Sequence, residues 1–311
     1  ILTGFGCLFV KKSIVQILKF VACGGIVSIT LLRNTLPLLA GPKVKFNHGT
    51  ALAFNNYDWK EEKVEPVLQN MEEANTKKAK PSPFPDSLRQ WSQWQLLDSI
   101  LPTGGFAHSY GLEAATQARL VNSPQDLKTF IIHVLENTGS LLLPFVHSAS
   151  LSPDSQNWRK LDRLLEAMLT NEASRRASVS QGSALMRVAS SVFSEIPNLK
   201  AMRDEALRGG SVFFHHAPVF GLVCGLLGFG PEIAQRAYVF VTMRDLVSAA
   251  TRLNLVGPLG AAVLQHQVAG EAEEVCVRWM GRGVEEACQV SPLLDTVQGC
   301  HAYLFSRLFC S

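Results

Sequence analysis

Three groups of residues carry side chains that can do chemistry, and each group contains histidine. The first is the segment 98–113, where His108, Ser109, Tyr110 and Glu113 follow a pair of glycines. Imidazole and carboxylate groups transfer protons when their pKa values are perturbed, which makes the segment a candidate acid–base site. An ordinary connection between two helices uses the same residue types, and the sequence leaves both interpretations open.

Local rules predict the geometry of this segment. Pro102 is expected to end the preceding helix, and Gly104-Gly105 permits a tight turn with positive φ. Ser109 is expected to cap the next helix. Under the functional interpretation, His108, Tyr110 and Glu113 are exposed together at the start of that helix; an ordinary helix-to-helix connection stays the alternative.

The second group is the pair His215-His216. Imidazole is a ligand of nickel, zinc and copper, but neighbouring residues on a helix point about 100° apart and cannot chelate one ion from one face. A packed or partner-facing position is the preferred interpretation. Ligation across a symmetric dimer axis stays open.

The third group is Cys300-His301 with Cys310, whose spacing matches no standard zinc site. The chain has seven cysteines, no Cys-x-x-Cys pair and no Asn-x-Ser/Thr glycosylation sequence. This pattern argues against a secreted, disulfide-bonded protein and favours reduced thiols in the cytoplasm. Neither a P-loop, a His-Glu-x-x-His pair nor a Gly-x-Ser-x-Gly elbow occurs, so the commonest nucleotide-binding and hydrolase signatures are missing.

The elements that must position these groups are helices. Apolar residues recur with helical spacing from Leu127 to Leu135 and again from Leu161 to Leu169, and Ser123-Pro124 and Asp154 precede them as caps. Alternating strand patterns are absent from the sequence. The prediction is a single all-α, multi-helix domain over 88–311, in which glycines and prolines bound further helices at about 172–194, 198–208, 217–228, 231–253, 258–269 and 271–288.

The first seventy residues differ from the rest of the chain. Segment 1–70 holds eight cations and four acids, which leaves 21 cations and 22 acids, a net charge of −1, for 71–311. The favoured interpretation is translated upstream sequence, or a misassigned start, with the working protein beginning at Met71; a targeting segment is the alternative. Segment 71–87, with three closely spaced prolines, is predicted to be a flexible arm.

Several ordered motifs give the chain a family resemblance. The segment 94–113 resembles the signature of the UreF-type urease accessory proteins, and the helix break at 142–146 also resembles that family. Further similar blocks lie at 171–178, 181–182, 216–221 and 252–253, and the carboxyl end from His301 to Ser311 fits as well. Together they span about 90–311.

The resemblance implies an all-helical, non-enzymatic adaptor that can form a homodimer. Such proteins bind a UreD/UreH-type accessory protein and a UreG-type nickel-binding GTPase, and the assembly delivers nickel to apo-urease, whose active-site lysine is carbamylated. Nickel and GTP would be handled by the partners, with no cofactor, metal or catalytic residue on this chain. Cytoplasmic location follows, and the near-neutral domain calls for neither nucleic acid nor membrane.

Two patches are carried over as partner-binding hypotheses. One is the carboxyl-terminal tail with His301, Tyr303, Arg307, Leu308 and Phe309, which is expected to become ordered against a partner. The other is the loop with His108, Ser109, Tyr110 and Glu113.

Two alternative functions remain in competition with the adaptor. One is an enzyme that uses His108, Glu113 or His215-His216 for acid–base chemistry. The other is an interaction protein anchored to a membrane by residues 1–40, although the longest uncharged run there is only 13 residues, against about 20 for a bilayer span.

Overall fold

The structure, a computed structural model, describes residues 86–210 and 212–311. The prediction for 1–70, and the predicted arm 71–87 except for its last two residues, lie outside the described residues; at 86–87 the chain is already the first turn of a helix. Within the described residues the chain forms eleven α-helices and no strand, which confirms the predicted all-α class. In chain order the helices are α1 Asp86–Leu97, α2 Leu112–Gln117, α3 Pro124–Leu141, α4 Leu143–Leu151, α5 Ser155–Met168, α6 Glu172–Val192, α7 Pro197–Gly209, α8 His216–Leu226, α9 Pro231–Arg252, α10 Pro258–Trp279 and α11 Pro292–Cys300.

The predicted helix starts are confirmed by their caps. The Ser123 hydroxyl accepts from the backbone N–H of Asp126 at 3.1 Å, and the Asp126 carboxylate accepts from the Ser123 N–H at 3.0 Å, which is a complete capping box. Asp154 accepts from two backbone N–H groups of the first turn of α5, both at 2.9 Å. Local sequence therefore places these starts correctly.

The boundary predicted near Gly270 is wrong. Helix α10 runs without a break from Pro258 to Trp279, and the chain then turns at Gly281, with φ +73°, instead of continuing as a helix to 288. Packing explains the difference, because α10 buries residues against α3 and α9 on both sides of Gly270. One glycine costs a helix only about 1 kcal/mol, which such burial offsets.

Helix α8 lies at the centre of the core. Its residues from His216 to Cys224 are all buried, and it packs against α4, α6 and α9. Gly221 lies where α8 crosses α4, and a β-carbon added there would approach the carbonyl oxygen of Val146 to 2.5 Å. The close crossing of these helices therefore requires a residue without a side chain.

The predicted helix break at 142–146 is confirmed. Helix α3 ends at Leu141 and α4 begins at Leu143 with Pro144 in its first turn, and the two helices are bent by 44°. Among the described helices none is by itself long and apolar enough to cross a membrane; the bent pair α3–α4 meets that requirement only when its two halves are counted together.

Candidate functional site

The segment 104–113 and the carboxyl-terminal tail, defined here as 301–311, form the candidate site. Helix α11 places the tail beside α2, and α9 packs against the one-turn 3-10 helix Gly105–Ala107. The two segments are separated by nearly two hundred residues in sequence. Their contact is therefore a product of the tertiary fold.

The backbone of the first segment follows the sequence prediction only in part. Gly104 has φ +80°, the positive value that the prediction required. Helix α1, however, ends at Leu97, five residues before Pro102, and the cap of α2 is Gly111 with φ +84° instead of Ser109. Two left-handed residues in succession, Tyr110 and Gly111, let the chain turn sharply into α2 and carry Ser109 inward.

Glu113 is the centre of the site. Its carboxylate is buried and accepts three hydrogen bonds from the tail: from His301 Nε2 at 3.1 Å, from the Leu308 N–H at 2.6 Å and from the Phe309 N–H at 3.1 Å. Hydrogen bonds to an ionised carboxylate are about twice as strong as neutral ones. We call this group of four residues the tail clamp.

Backbone pairing extends the tail clamp to the end of the chain. The Ser109 N–H donates to the Ser311 carbonyl at 2.7 Å, and the Cys310 N–H donates to the Ala107 carbonyl at 2.8 Å. His108 Nδ1 lies 2.7 Å from Ser311 Oγ. The tail is thus held at both ends by segment 104–113.

Arginine side chains from α9 close the site on its other side. The Arg252 guanidinium lies 4.7 Å from the centre of the Phe309 ring and also donates to the Phe106 carbonyl. Arg244 lies 5.2 Å from the Phe106 ring and donates to the buried carboxylate of Asp245. These contacts fix the Phe309 ring inside the protein.

The predicted site residues therefore divide into two sets. Tyr303, Arg307 and Leu308 are exposed, and Phe305, which the sequence analysis did not single out, is fully exposed beside them. Five of the predicted contact residues are buried: His108, Ser109, Glu113, His301 and Phe309. The exposure expected of His108 and Glu113 is therefore wrong. Tyr110 is half-buried. The buried set binds the tail to its own domain, and the exposed set forms what we call the outward face of the tail.

Burial also sets the protonation of the histidine in the first segment. Removal from water, and then the neighbouring His301, lower the pKa of His108 from 6.5 to about 4. His108 is therefore neutral near pH 7. One of its ring nitrogens must then act as an acceptor or stay unpaired.

The pair His215-His216 is packed inside the domain. His215 Nε2 lies 2.9 Å from the Glu166 carboxylate and Nδ1 lies 3.1 Å from Ser178 Oγ, while the Asp162 carboxylate accepts from the N–H of His215 at 2.7 Å. Burial lowers the pKa of His216 to about 3. The pair thus anchors the start of α8. Among the described residues, no group of three or more His, Cys, Asp or Glu could hold a metal ion.

The cysteines of the third group lie at the surface. Cys300 and Cys310 are exposed free thiols, and the His301 between them points at Glu113. Together with Cys224, Cys276 and Cys288 they are unpaired in the described residues, as expected for reduced thiols; Cys7 and Cys23 lie outside these residues.

A cavity of about 100 Å³ lies behind the first segment, between α3, α6 and the carboxyl-terminal part of the chain. His108, Gln181, Gln298 and Ser311 are among the residues that line it. Two buried atoms of these residues, His108 Nε2 and Gln181 Oε1, have no hydrogen-bond partner in the described part of the chain.

Sequence reasoning missed the supporting acids and arginines. Asp162 and Glu166 lie on α5, and Arg244 and Asp245 lie on α9; the sequence analysis singled out none of them. Asp162 and Asp245 are buried. A lone acid within an otherwise apolar stretch, as in 237–250, is the signal that could have indicated them.

Comparison with known proteins identifies the family. A UreF family model matches residues 121–269. "Urease accessory protein F" of rice, Oryza sativa subsp. japonica, is 70% identical over 221 residues, which cover 71% of this chain and 85% of the relative. The protein of the same name from Arabidopsis thaliana is 68% identical over 225 residues, covering 72% and 94%. "Urease accessory protein UreF" of Mycobacterium marinum is 32% identical over 220 residues, covering 70% and 96%. The chain belongs to the UreF family of urease accessory proteins.

Proposed function

We propose that this chain is a non-catalytic adaptor in urease maturation, in the cytoplasm. In this proposal it binds a UreD/UreH-type accessory protein and a UreG-type GTPase as a homodimer, and the assembly delivers nickel to apo-urease. Nickel and GTP are handled by the partners. The names of its relatives support a role beside urease, and the finer assignments rest on the family resemblance and on the tail.

The observation that carries the proposal is the outward face of the tail. Tyr303 is 90% exposed and Leu308 61% exposed, and both flank Phe305 and Arg307 on a segment whose backbone is fixed by the tail clamp. Exposed aromatic and arginine side chains are the groups that dominate binding energy at protein interfaces. Because the backbone is already ordered, binding through these side chains avoids part of the entropic cost of ordering a loose peptide.

The geometry disfavours the competing acid–base enzyme. The Glu113 carboxylate accepts from three donors and is buried. A general base must reach the proton that it abstracts. Glu113 is better suited to hold the tail than to act on a substrate.

The test is complementation of cells that lack this protein, with urease activity as the readout. Tyr303→Ser combined with Phe305→Ser is expected to abolish urease activation and co-purification of the UreD/UreH-type protein. Val277→Ser, which also replaces an exposed apolar side chain but on α10, is the matched control and is expected to retain both. Full activation by the double variant would refute the role of the outward face.

Arg307 tests recruitment of the GTPase. Arg307→Ala is expected to reduce co-purification of the UreG-type protein while leaving the helical circular dichroism unchanged. Arg307→Lys is expected to restore little, because lysine cannot make the two parallel hydrogen bonds of a guanidinium. Unchanged complex formation by Arg307→Ala would contradict this assignment.

Two further experiments test the proposed homodimer and the role of residues 1–70. Light scattering of the purified chain reports whether it is a dimer. Complementation with the full chain and with a form that starts at Met71 reports whether residues 1–70 are needed for activation.

A further inference from the structure

The cavity behind segment 104–113 contains polar atoms that need a partner. His108 Nε2 and Gln181 Oε1 belong to side chains that are 5% and 4% exposed, and neither atom has a hydrogen-bond partner in the described residues. Both residues line the same cavity. A buried polar atom without a partner costs about 1–3 kcal/mol, so proteins rarely leave two of them beside one empty space.

The lining of the cavity determines the charge of its occupant. None of the described residues that line it is Asp, Glu, Lys or Arg. Its histidines, His108 and His216, are neutral near pH 7. The lining side chains offer an anion no positive charge to replace its hydration, which is strongly unfavourable. A cation would also lose its hydration, and the carboxyl oxygen of Ser311 beside the cavity already accepts from the N–H and the hydroxyl of Ser109. The described residues contain no group of three or more His, Cys, Asp or Glu that could hold a metal ion.

The two unpaired atoms determine the hydrogen-bonding groups. Gln181 Oε1 can only accept, so the occupant must donate an N–H or O–H to it. If the Ser311 hydroxyl donates to His108 Nδ1, then Nε2 carries the proton and requires an acceptor; with the other tautomer Nε2 requires a donor. A carboxamide group offers two N–H donors and one carbonyl acceptor, and so satisfies Gln181 with either tautomer.

We propose that this cavity is a binding site for a small, uncharged molecule of the carboxamide class. Its amide N–H donates to Gln181 Oε1, and its amide group also pairs with His108 Nε2. Gln298 and Ser311 close the site from the carboxyl-terminal side. The site is independent of the proposed adaptor function, because it needs neither a partner nor urease.

The test uses three probes of the same shape and different charge: acetamide, acetate and acetamidinium. Binding of each to the full chain is measured by ligand-observed NMR titration. Acetamide is expected to bind saturably, with a Kd between about 0.1 and 10 mM for so small a ligand, and to bind at least about tenfold more tightly than either ion. Gln181→Leu removes the acceptor at similar volume and is expected to weaken acetamide at least about tenfold.

Two controls keep the result interpretable. Ser183→Ala changes an exposed hydroxyl on the same helix, away from the cavity lining, and is expected to bind acetamide normally. Ala177→Leu fills the cavity and leaves both His108 and Gln181 in place, and it is expected to abolish binding. Loss of binding in both variants therefore does not depend on whether Gln181→Leu folds correctly. Circular dichroism monitors folding of each variant.

Three results would overturn the proposal. The first is binding of acetate or acetamidinium that equals or exceeds the binding of acetamide. The second is no saturable binding of acetamide, together with a crystal structure of the full chain that has only ordered water in the cavity. The third is Ni²⁺ bound at His108 in that crystal. Each result is measured on this chain without partners or urease. Failure of the carboxamide site is therefore distinguishable from failure of the proposed adaptor function.

Discussion

Replacement of Glu113 by glutamine should release the tail from the domain. Two of the three donors of the tail clamp, His301 Nε2 and the Phe309 N–H, point at one carboxylate oxygen, and the Leu308 N–H points at the other. A glutamine amide has one oxygen and one NH₂ group, so at least one of these donors faces another donor. The best orientation of the amide sacrifices the Leu308 contact and keeps the other two as weaker, neutral hydrogen bonds.

The expected cost follows from these contacts. A hydrogen bond to a charged group contributes about 1.5–3 kcal/mol and a neutral one about 1 kcal/mol, so losing one contact and weakening two destabilises the docked tail by at least about 2.5 kcal/mol. Because about 1.4 kcal/mol corresponds to a factor of ten, amide exchange in the tail should accelerate at least about 60-fold.

Hydrogen–deuterium exchange of the peptide that contains Leu308 and Phe309 measures this directly. Glu274→Gln, which neutralises an exposed glutamate on α10, is the matched control and should leave tail exchange unchanged. Helical circular dichroism should persist in both variants, because the core helices lie elsewhere. Tail exchange in Glu113→Gln within about threefold of the wild type would refute the reasoning.

Three further predictions concern the stability of the domain. Asp162→Asn removes an acceptor of the Phe213 and His215 N–H groups, at 2.6 and 2.7 Å, and should lower the free energy of unfolding by about 1.5–3 kcal/mol in urea denaturation. Gly221→Ala places a β-carbon against the backbone of α4 and should cost about 1–3 kcal/mol, visible as a lower Tm; an unchanged Tm would contradict the close crossing. The pKa of His108 is about 4 in the folded chain, against 6.5 for an unperturbed histidine. Between these pH values the unfolded chain binds the proton more readily than the folded chain. The free energy of unfolding should therefore fall by about 3 kcal/mol as the pH drops from 6.5 to 4. His108→Asn should flatten that pH dependence.

The helices were predictable because their signals are local. Ser123, Pro124 and Asp154 each act within one turn, and the predicted bounds of α6, α7 and α9 differ from the structure by at most two residues at either end. Gly270 gave the wrong boundary because its effect is small and the packing of α10 against α3 and α9 decides the outcome.

The site was predictable in composition but not in exposure. Residues of segment 104–113 and of the tail were both selected, yet nothing within either segment indicates that Glu113 receives the backbone of Leu308 and Phe309. Such contacts depend on how α11 approaches α2, which pattern reasoning along the chain does not capture. The same limit explains why Asp162 was missed, because the N–H groups that it accepts from, those of Phe213 and His215, lie about fifty residues further along the chain.

The tail joins the two proposed sites, which gives one variant two linked consequences. Its outward face carries Tyr303 and Phe305, and its last residue, Ser311, lines the cavity. If Glu113→Gln frees the tail, the cavity loses part of its wall, so acetamide binding should weaken together with the gain in amide exchange. Tyr303→Ser alters only the outward face and should leave acetamide binding unchanged. Weaker acetamide binding in Tyr303→Ser, or normal binding in a Glu113→Gln variant whose tail exchanges freely, would show that the tail does not close the cavity.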